Sequence, residues 1–165
     1  LEPGDKILSL DLTHGGHLSH GHPANFVGQF YEVEQYEVDP ETGYLDYAGL
    51  ADHAAEFEPD MIVSGYSAYP REVEWERIQA VADDVGAYHL ADIAHITGLV
   101  AAGVHQSPVG FTDFGTGSTQ KTLRAGRGGY VMTNDESTDA CDNAVFPGEK
   151  GGQALHDLCG HAVSY

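Results

Sequence analysis

The sequence predicts an α/β protein with a mostly parallel sheet flanked by helices on both faces. Short apolar runs of strand length alternate along the chain with amphipathic stretches of helix length. The stretches between successive runs are long enough for the crossover connections that parallel strands need. The 165 residues fit one domain, and the 41% of apolar residues is typical of a globular chain.

The first half of the chain supplies three predicted strands and one predicted helix. Residues 6–12 (KILSLDL) predict a strand, and residues 31–39 (YEVEQYEVD) alternate and predict a more exposed one. Asp46 is expected to cap a helix that runs to about Phe57. Residues 61–70 (MIVSGYSAYP) begin as a buried strand and end as a loop. The apolar face of the helix carries Leu50, Ala54 and Phe57.

The second half continues the alternation. Residues 72–84 predict a helix, and residues 87–92 (AYHLAD) predict a strand. Residues 112–119 (TDFGTGST) predict another strand, and residues 128–134 (GGYVMTN) follow closely enough to pair with it. Helices are expected around residues 135–144 and near the C-terminus. The inward face of the predicted helix 72–84 carries Trp75, Ile78, Val81 and Ala82.

The charge balance excludes several partners. The chain has 26 Asp and Glu against 7 Lys and Arg, a net charge of −19, so nucleic acid and anionic membranes would be repelled. This bias is typical of halophilic proteins. Because salt screens the self-repulsion of such a surface, the melting temperature is predicted to rise with KCl over the molar range, and a calorimetric scan at increasing KCl would show it.

Other global features concern the setting of the chain. Cys141 and Cys159 predict a reduced pair and a cytoplasmic location. No apolar run approaches membrane-spanning length. The N-terminus lacks an initiator Met and enters almost directly into an apolar run, so the chain is expected to be the middle of a longer protein.

The candidate site lies in the loops that follow the predicted strands. In sheets of this class, ligands bind beyond the carboxyl ends of the strands. Four loops at these ends hold nearly all the unusual chemistry of the sequence: residues 13–23, 64–70, 92–97 and 118–129.

The loop GSTQKTLRAGRGG (residues 117–129) concentrates positive charge. It holds three of the seven basic residues, Lys121, Arg124 and Arg127, among Gly, Ser and Thr. A lysine acts as a nucleophile when part of its population is neutral, a state that nearby cations and burial favour. The small residues would let a cofactor approach the backbone. The alternative is an inert, solvated basic turn.

Asp92 ends an apolar predicted strand, where an unpaired carboxylate is costly to bury. A cationic heterocycle nitrogen would be a suitable partner, and pyridoxal phosphate requires an Asp of this kind because a charged pyridinium is a better electron sink. The alternative is that Asp92 caps a helix beginning near Ile93.

A Gly/His loop, HGGHLSHGH, follows the first predicted strand and carries His14, His17, His20 and His22. These ligand types suit zinc or nickel. Because the glycines give no rigid scaffold and no Cys or second cluster completes a set, no metal is predicted. An imidazole here can instead stack on a flat cofactor ring or transfer protons.

Together these motifs resemble serine hydroxymethyltransferase, a pyridoxal-phosphate enzyme family of the aspartate-aminotransferase fold type. The resemblance rests on LDLTHGGHLSHG (10–21), SGYSAYPR (64–71), DIAHITGLVAAGVHQSPV (92–109), STQKTLRAGRGG (118–129) and AVFPGEKGG (144–152). It implies that residues 1–165 form an incomplete pyridoxal-phosphate-binding large domain. The family's N-terminal segment, with its Tyr, Glu and phosphate loop, and its C-terminal small domain have no counterpart here.

The resemblance also implies roles for individual residues. Lys121, His17 and His95 would be catalytic. Lys121 would bond covalently to the cofactor, Asp92 would pair with its pyridine nitrogen, and His17 would stack on its ring. Further contacts to cofactor or substrate would come from Ser67, His95, Ser118 and Arg127. The folate would be contacted by Leu12, Gly16 and Leu18, and the phosphate of the partner subunit's cofactor by Gly151 and Gly152.

The reaction implied is the reversible conversion of serine and tetrahydrofolate into glycine and a methylene-folate, in a homodimer or higher oligomer. Gln120 departs from the histidine usual in the family before the lysine, a position tied to substrate choice, and FPGEKGGQ departs from the usual FPGGQGGP. Two alternatives stay open: another aldolase or aminotransferase of the same fold type, and a non-catalytic truncated remnant that binds a partner or a metal.

Overall fold

The computed structural model describes residues 1–152 and 154–165. In this part of the chain a six-stranded sheet has the order β2-β1-β3-β4-β5-β6. Strands β1 to β5 are parallel, and β6 is antiparallel to β5. The strands are β1 Lys6–Leu10, β2 Glu32–Tyr36, β3 Met61–Ser64, β4 Tyr88–Asp92, β5 Phe114–Ser118 and β6 Gly129–Thr133. The predicted fold class, a mostly parallel sheet with flanking helices, is confirmed.

Helices connect and border the strands. The α-helices are α1 Phe26–Phe30, α2 Tyr47–Phe57, α3 Trp75–Val85, α4 Thr97–Ala101, α5 Thr138–Asn143 and α6 Leu155–Ser164. Short 3₁₀ helices cover Leu12–His14, Leu18–His20 and Asp135–Ser137, and an irregular helical segment covers Ala144–Glu149. Among the described residues, no helix combines the length and the apolar composition that crossing a bilayer requires.

The caps explain why α2 and α3 begin and end where they do. The Asp46 carboxylate accepts hydrogen bonds from the N–H groups of Ala48 at 3.2 Å and Gly49 at 3.0 Å, as predicted. Helix α3 ends at Val85, and its C-cap Gly86 has φ of +73°, which favours glycine. The helix begins at Trp75, three residues later than predicted, with Glu74 at the N-cap position but without a side-chain capping bond. These caps fix the two long helices over the sheet.

Three strand predictions were too long, one of them residues 112–119, where the strand covers only Phe114–Ser118. The first strand ends at Leu10, because the Asp11 side chain accepts the N–H of Thr13 and starts a 3₁₀ helix. The second covers only Glu32–Tyr36 of the predicted residues 31–39. Residues 128–134 pair with β5 as expected, with Ser118 opposite Gly129.

We call one face of the sheet the packed face. It is formed by Leu8 and Leu10 of β1, Ile62 and Ser64 of β3, and His89 and Ala91 of β4. It packs against α2 and α3 through Leu50, Ala54, Phe57, Trp75, Ile78, Val81 and Ala82, all buried. Trp75 and Ile78 are fully buried, as predicted from their helical spacing. This layer holds most of the hydrophobic core.

The opposite face, here the open face, carries Ile7, Met61, Val63, Leu90, Asp92 and Thr116. It borders a cavity of about 660 Å³ whose other walls come from α1, His20 and the Ala144–Glu149 segment. Side chains alternate between the two faces along a strand, so Asp92 points away from the core that α2 and α3 cover. The Asp92 carboxylate therefore lies on the side of the sheet where the cavity is, and Asp92 is one of the lining residues.

Candidate functional site

The Gly/His loop and the loop after β3 meet at the carboxyl ends of neighbouring strands. The strand order β2-β1-β3 means that the chain proceeds to one side of β1 to form β2 and to the other side to form β3. Ligands of open α/β sheets bind at such a reversal of strand order. The carbonyl of Gly15 accepts the N–H groups of Ser67 at 2.9 Å and Ala68 at 3.1 Å. These bonds bring the predicted residues Gly16, His17 and Ser67 to one end of the sheet.

Two glycines allow this close approach. A Cβ on Gly16 would lie 2.1 Å from the carbonyl oxygen of Leu10, and one on Gly65 would lie 1.9 Å from that of Asp92. Gly65 also has φ of +82°, a conformation that other residues rarely adopt. The backbone after β3 can therefore lie directly against the end of β4.

Asp92 is held by a histidine that sequence reasoning did not assign to it. The Nε2 atom of His20 lies 2.9 Å from Oδ2 of Asp92, and the N–H of Ala94 donates to Oδ1 at 3.0 Å. The His20 side chain is 6% exposed and that of Asp92 is 21% exposed. His20 stood in the Gly/His motif, but no signal in the sequence separated it from His14 and His22.

The helix-cap interpretation of Asp92 is wrong. Helix α4 begins at Thr97 with Ile96 as its N-cap, so no helix begins near Ile93. Burial acts to raise the pKa of Asp92, but the hydrogen bonds from His20 and Ala94 and the positive charges nearby outweigh it and lower that pKa. Asp92 is therefore a carboxylate near neutral pH.

His17, His95 and Lys121 surround Asp92 closely enough to affect one another. Partial burial lowers the pKa of His17, and His20, Lys121 and His95 lower it further against the opposing influence of Asp92. Partial burial also lowers the pKa of His95, with Lys121 adding to the effect and Asp92 opposing it. Lys121 in turn helps to lower the pKa of Asp92. The structure thus gathers these residues into one electrostatic cluster.

The lysine loop, residues 119–128, closes the β5–β6 hairpin. The N–H of Thr119 donates to Gly128 at 3.0 Å, and its hydroxyl donates to the carbonyl of Gly126 at 2.6 Å. The amide oxygen of Gln120 accepts the N–H of Gly128 at 3.2 Å. Gln120, expected to bear on substrate choice, therefore closes the loop. Lys121 is half-buried at its tip, whereas Arg124 and Arg127 are exposed.

A second contact joins the lysine loop to the segment after Asp92. The hydroxyl of Thr122 accepts the N–H of Gly98 at 2.9 Å, and a Cβ on Gly98 would lie 2.3 Å from the carbonyl oxygen of Thr122. The hydroxyl of Tyr130, on β6, donates to that of Thr97 at 2.9 Å. The residue that follows Lys121 and the strand β6 are thereby held against α4, the helix that comes after Asp92.

The other predicted site residues lie at different distances from this cluster. Ser118 is half-buried at the end of β5. Leu12 begins the 3₁₀ helix before the Gly/His loop, and Leu18 is exposed within that loop. Gly151 and Gly152 are exposed, and no heavy atom lies within 4 Å of the Cβ position of either. The structure does not bring these two glycines to Asp92. Over residues 1–152 and 154–165, no three His, Cys, Asp or Glu side chains are grouped so as to hold a metal ion.

The fold and this site define an α/β protein with a lysine hairpin and a partly buried carboxylate at a strand end. The family described as serine hydroxymethyltransferase matches residues 1–165. The chain is 74% identical over its whole length to the serine hydroxymethyltransferase of Haloarcula marismortui, 72% to that of Halorubrum lacusprofundi and 51% to that of Methanosarcina barkeri. It spans 40% of the length of each of these relatives.

The chain belongs to the serine hydroxymethyltransferase family. The match covers every motif on which the resemblance rested, and it favours this family over others of the same fold type. The acid-rich composition also agrees with the haloarchaeal relatives.

Proposed function

We propose that this chain forms the cofactor-binding part of a serine hydroxymethyltransferase, which interconverts serine and glycine with tetrahydrofolate. The observation that carries the proposal is the Asp92 carboxylate. It is partly buried at a strand end, held by His20, and close enough to Lys121 for that cation to lower its pKa. A partly buried, ionised carboxylate with a lysine nearby suits the cationic ring nitrogen of pyridoxal phosphate.

The residues present fit this cofactor. The described residues that line the 660 Å³ cavity include Asp92 and His20 but not His17, His95 or Lys121. The Asp92 carboxylate, and not the cavity as a whole, is therefore what suits a cationic ring nitrogen. Among the described residues, the buried Nδ1 atom of His20 has no hydrogen-bond partner, and His20 lines the cavity beside Asp92. The cofactor would supply an electron sink, and the protein would hold and orient it.

The chain's own residues have separable tasks. Asp92, ionised at neutral pH, would keep a proton on the ring nitrogen. His17 is mainly uncharged at neutral pH because its pKa is lowered, so it offers a flat apolar face for stacking. His95, also shifted toward its neutral form, could exchange a proton or accept a hydrogen bond at the phenolic side. Lys121 supplies the amine that bonds to the cofactor.

The remaining assignments concern the whole enzyme. We infer that residues 1–165 are part of the large domain and that the activity belongs to a longer assembly, since the chain spans 40% of its relatives' length. Leu12, Gly16 and Leu18 would contact the folate, with Ser67, Ser118 and Arg127 near the cofactor. Gly151 and Gly152 would reach a partner subunit in a homodimer or higher oligomer, in keeping with their exposure.

The test uses the three lysines of the chain, Lys6, Lys121 and Lys150. The purified chain is mixed with pyridoxal phosphate in molar KCl, reduced with borohydride and mapped by mass spectrometry. We expect the label on Lys121 and its loss in Lys121→Arg. Asp92→Asn should weaken cofactor retention about 10- to 100-fold, the value of a charged hydrogen bond. Equal labelling of all three lysines, or unchanged retention in Asp92→Asn, would refute the proposal.

A further inference from the structure

The C-terminal helix α6 touches the lysine loop through His161, a residue outside every motif of the site. The Nε2 atom of His161 lies 3.0 Å from the carbonyl oxygen of Gly126. The imidazole also lies against Gly128, because a Cβ on that glycine would come within 2.8 Å of Cε1 of His161. The ring of Tyr165 stacks on the imidazole with centroids 6.3 Å apart. Glycine at position 128 is thus what lets the histidine approach.

The Gly126 carbonyl is a shared acceptor. The hydroxyl of Thr119, a buried side chain, donates to the same oxygen at 2.6 Å. A carbonyl oxygen has two lone pairs, so it can accept both bonds, and His161 must then donate from Nε2–H. A chain of two hydrogen bonds therefore joins α6 to Thr119, which lies two positions before Lys121.

The loop is held by its own hydrogen bonds, but several of its positions favour flexibility. Gly126, Gly128 and Gly129 are flexible positions, and Arg124 adopts φ of +59°, which is unusual for a residue with a side chain. Thr122 anchors the loop on the side of α4. On the other side, His161 is the anchor that comes from outside the hairpin.

We propose that His161 is a positioning residue that holds the lysine loop and thereby aims the Lys121 amine. The proposal rests on the proposed function of Lys121 as the cofactor-binding lysine. An amine held in one direction reaches the cofactor without first losing the freedom of a mobile loop. Through His161, helix α6 affects the site although it contributes no group to the cofactor.

The first test measures the loop without any cofactor. Trypsin cleaves after Arg124 and Arg127 only when the loop opens, whereas cleavage after Arg77, within α3, reports opening of the core. We expect His161→Leu to accelerate cleavage after Arg124 and Arg127 about 3- to 10-fold, the value of one hydrogen bond, with no change after Arg77. His161→Gln, which keeps an N–H donor, should restore slow cleavage.

The matched control is His156 on the same helix. Its side chain is 85% exposed, so His156→Leu makes the same chemical change without touching the loop. The proposal fails if His161→Leu leaves the loop sites unchanged or if His156→Leu has the same effect. It also fails if His161→Gln behaves like His161→Leu, or if cleavage after Arg77 rises equally.

The second test links the loop to the lysine. The rate at which pyridoxal phosphate is trapped on Lys121 by borohydride should fall about 3- to 10-fold in His161→Leu and recover in His161→Gln. A normal trapping rate in a variant whose loop is opened would overturn the positioning role. Failure of the unmodified chain to label Lys121 would instead refute the proposed function, while the proteolysis result would still report on His161 and the loop.

Discussion

The two faces of the sheet differ in whether their buried polar atoms have hydrogen-bond partners. On the packed face, His89 is fully buried, yet its Nε2 lies 2.6 Å from the Ser64 hydroxyl and its Nδ1 lies 3.2 Å from Oε1 of Gln79. On the open face, Oγ of Ser9 and Nδ1 of His20 are buried without a partner among the described residues. Ser9 belongs to this face because it follows Ile7 by two positions.

This difference separates a stabilising layer from a binding layer. A buried polar group without a hydrogen bond costs free energy, so proteins keep few of them outside functional regions. The packed face satisfies its polar groups, which suits a core that only has to be stable. The open face keeps one unsatisfied polar atom beside Asp92, Nδ1 of His20, and another two strands away, Oγ of Ser9. An unsatisfied polar atom beside a carboxylate is expected where a ligand completes the bonding.

The largest expected difference between the two faces is in the stability lost when a large apolar side chain is replaced by alanine. Ile62, on the packed face, is fully buried, and Leu90, on the neighbouring strand, borders the cavity half-buried. We expect Ile62→Ala to lower the free energy of unfolding by about 2–5 kcal/mol. Leu90→Ala should cost less than about 2 kcal/mol, because less apolar surface is removed from a packed environment. Urea titrations in molar KCl measure both, and equal losses would contradict the distinction.

Gly65 tests how tightly the open face is built at the site. Gly65→Ala places a Cβ against the Asp92 carbonyl at a positive φ, so we expect a loss of about 2–4 kcal/mol from crowding and strain. Gly86→Ala is the control, because Gly86 has a similar φ of +73° but no atom within 4 Å of the Cβ position. Its loss should be about 1–2 kcal/mol, from backbone strain alone. If the two variants unfold at the same urea concentration, the close approach of Gly65 to Asp92 does not contribute to the free energy of unfolding.

His89 gives the smallest effect, and it depends on pH. Burial lowers the pKa of His89 from 6.5 to about 4, so the folded state favours the neutral ring. The stability contributed by this group is present above pH 6.5 and is lost as the pH falls toward 4. Between pH 7 and pH 5 we expect a loss of about 2 kcal/mol from this residue.

The control for this prediction is His89→Gln, which can still hydrogen-bond to Ser64 and Gln79 but does not titrate. Other groups titrate in both proteins, so the difference between their urea titrations at each pH isolates His89. A difference that does not change between pH 7 and pH 5 would show that burial of His89 does not affect its protonation.

Much of the fold followed from the sequence, because periodicity and caps are local signals. Asp46, the helical spacing of Trp75 and Ile78, and the strand ending at Asp92 all marked elements that the structure contains. The bounds of β1 and β2 were wrong because Asp11 starts a turn and only Glu32–Tyr36 can pair with β1.

The site was less predictable. The motifs marked Asp92, Lys121 and His17, but no local pattern shows which histidine pairs with a carboxylate 72 positions away. The contact between His161 and Gly126 was hidden for the same reason. The sequence does not show where the side chain of a helix residue such as His161 points. It also does not show where the carbonyl oxygen of Gly126 lies.

The antiparallel pairing of β5 with β6 has a consequence for how the site assembles. The hairpin that carries Lys121 is made of contacts close in sequence, with Ser118 opposite Gly129. The His20–Asp92 pair instead requires closure of a loop of 72 positions, which costs more chain entropy and forms more slowly. We therefore expect the lysine turn to form early in folding and its carboxylate partner to be completed late. A full-length chain that refolds would then display the Lys121 amine before the His20–Asp92 pair is in place.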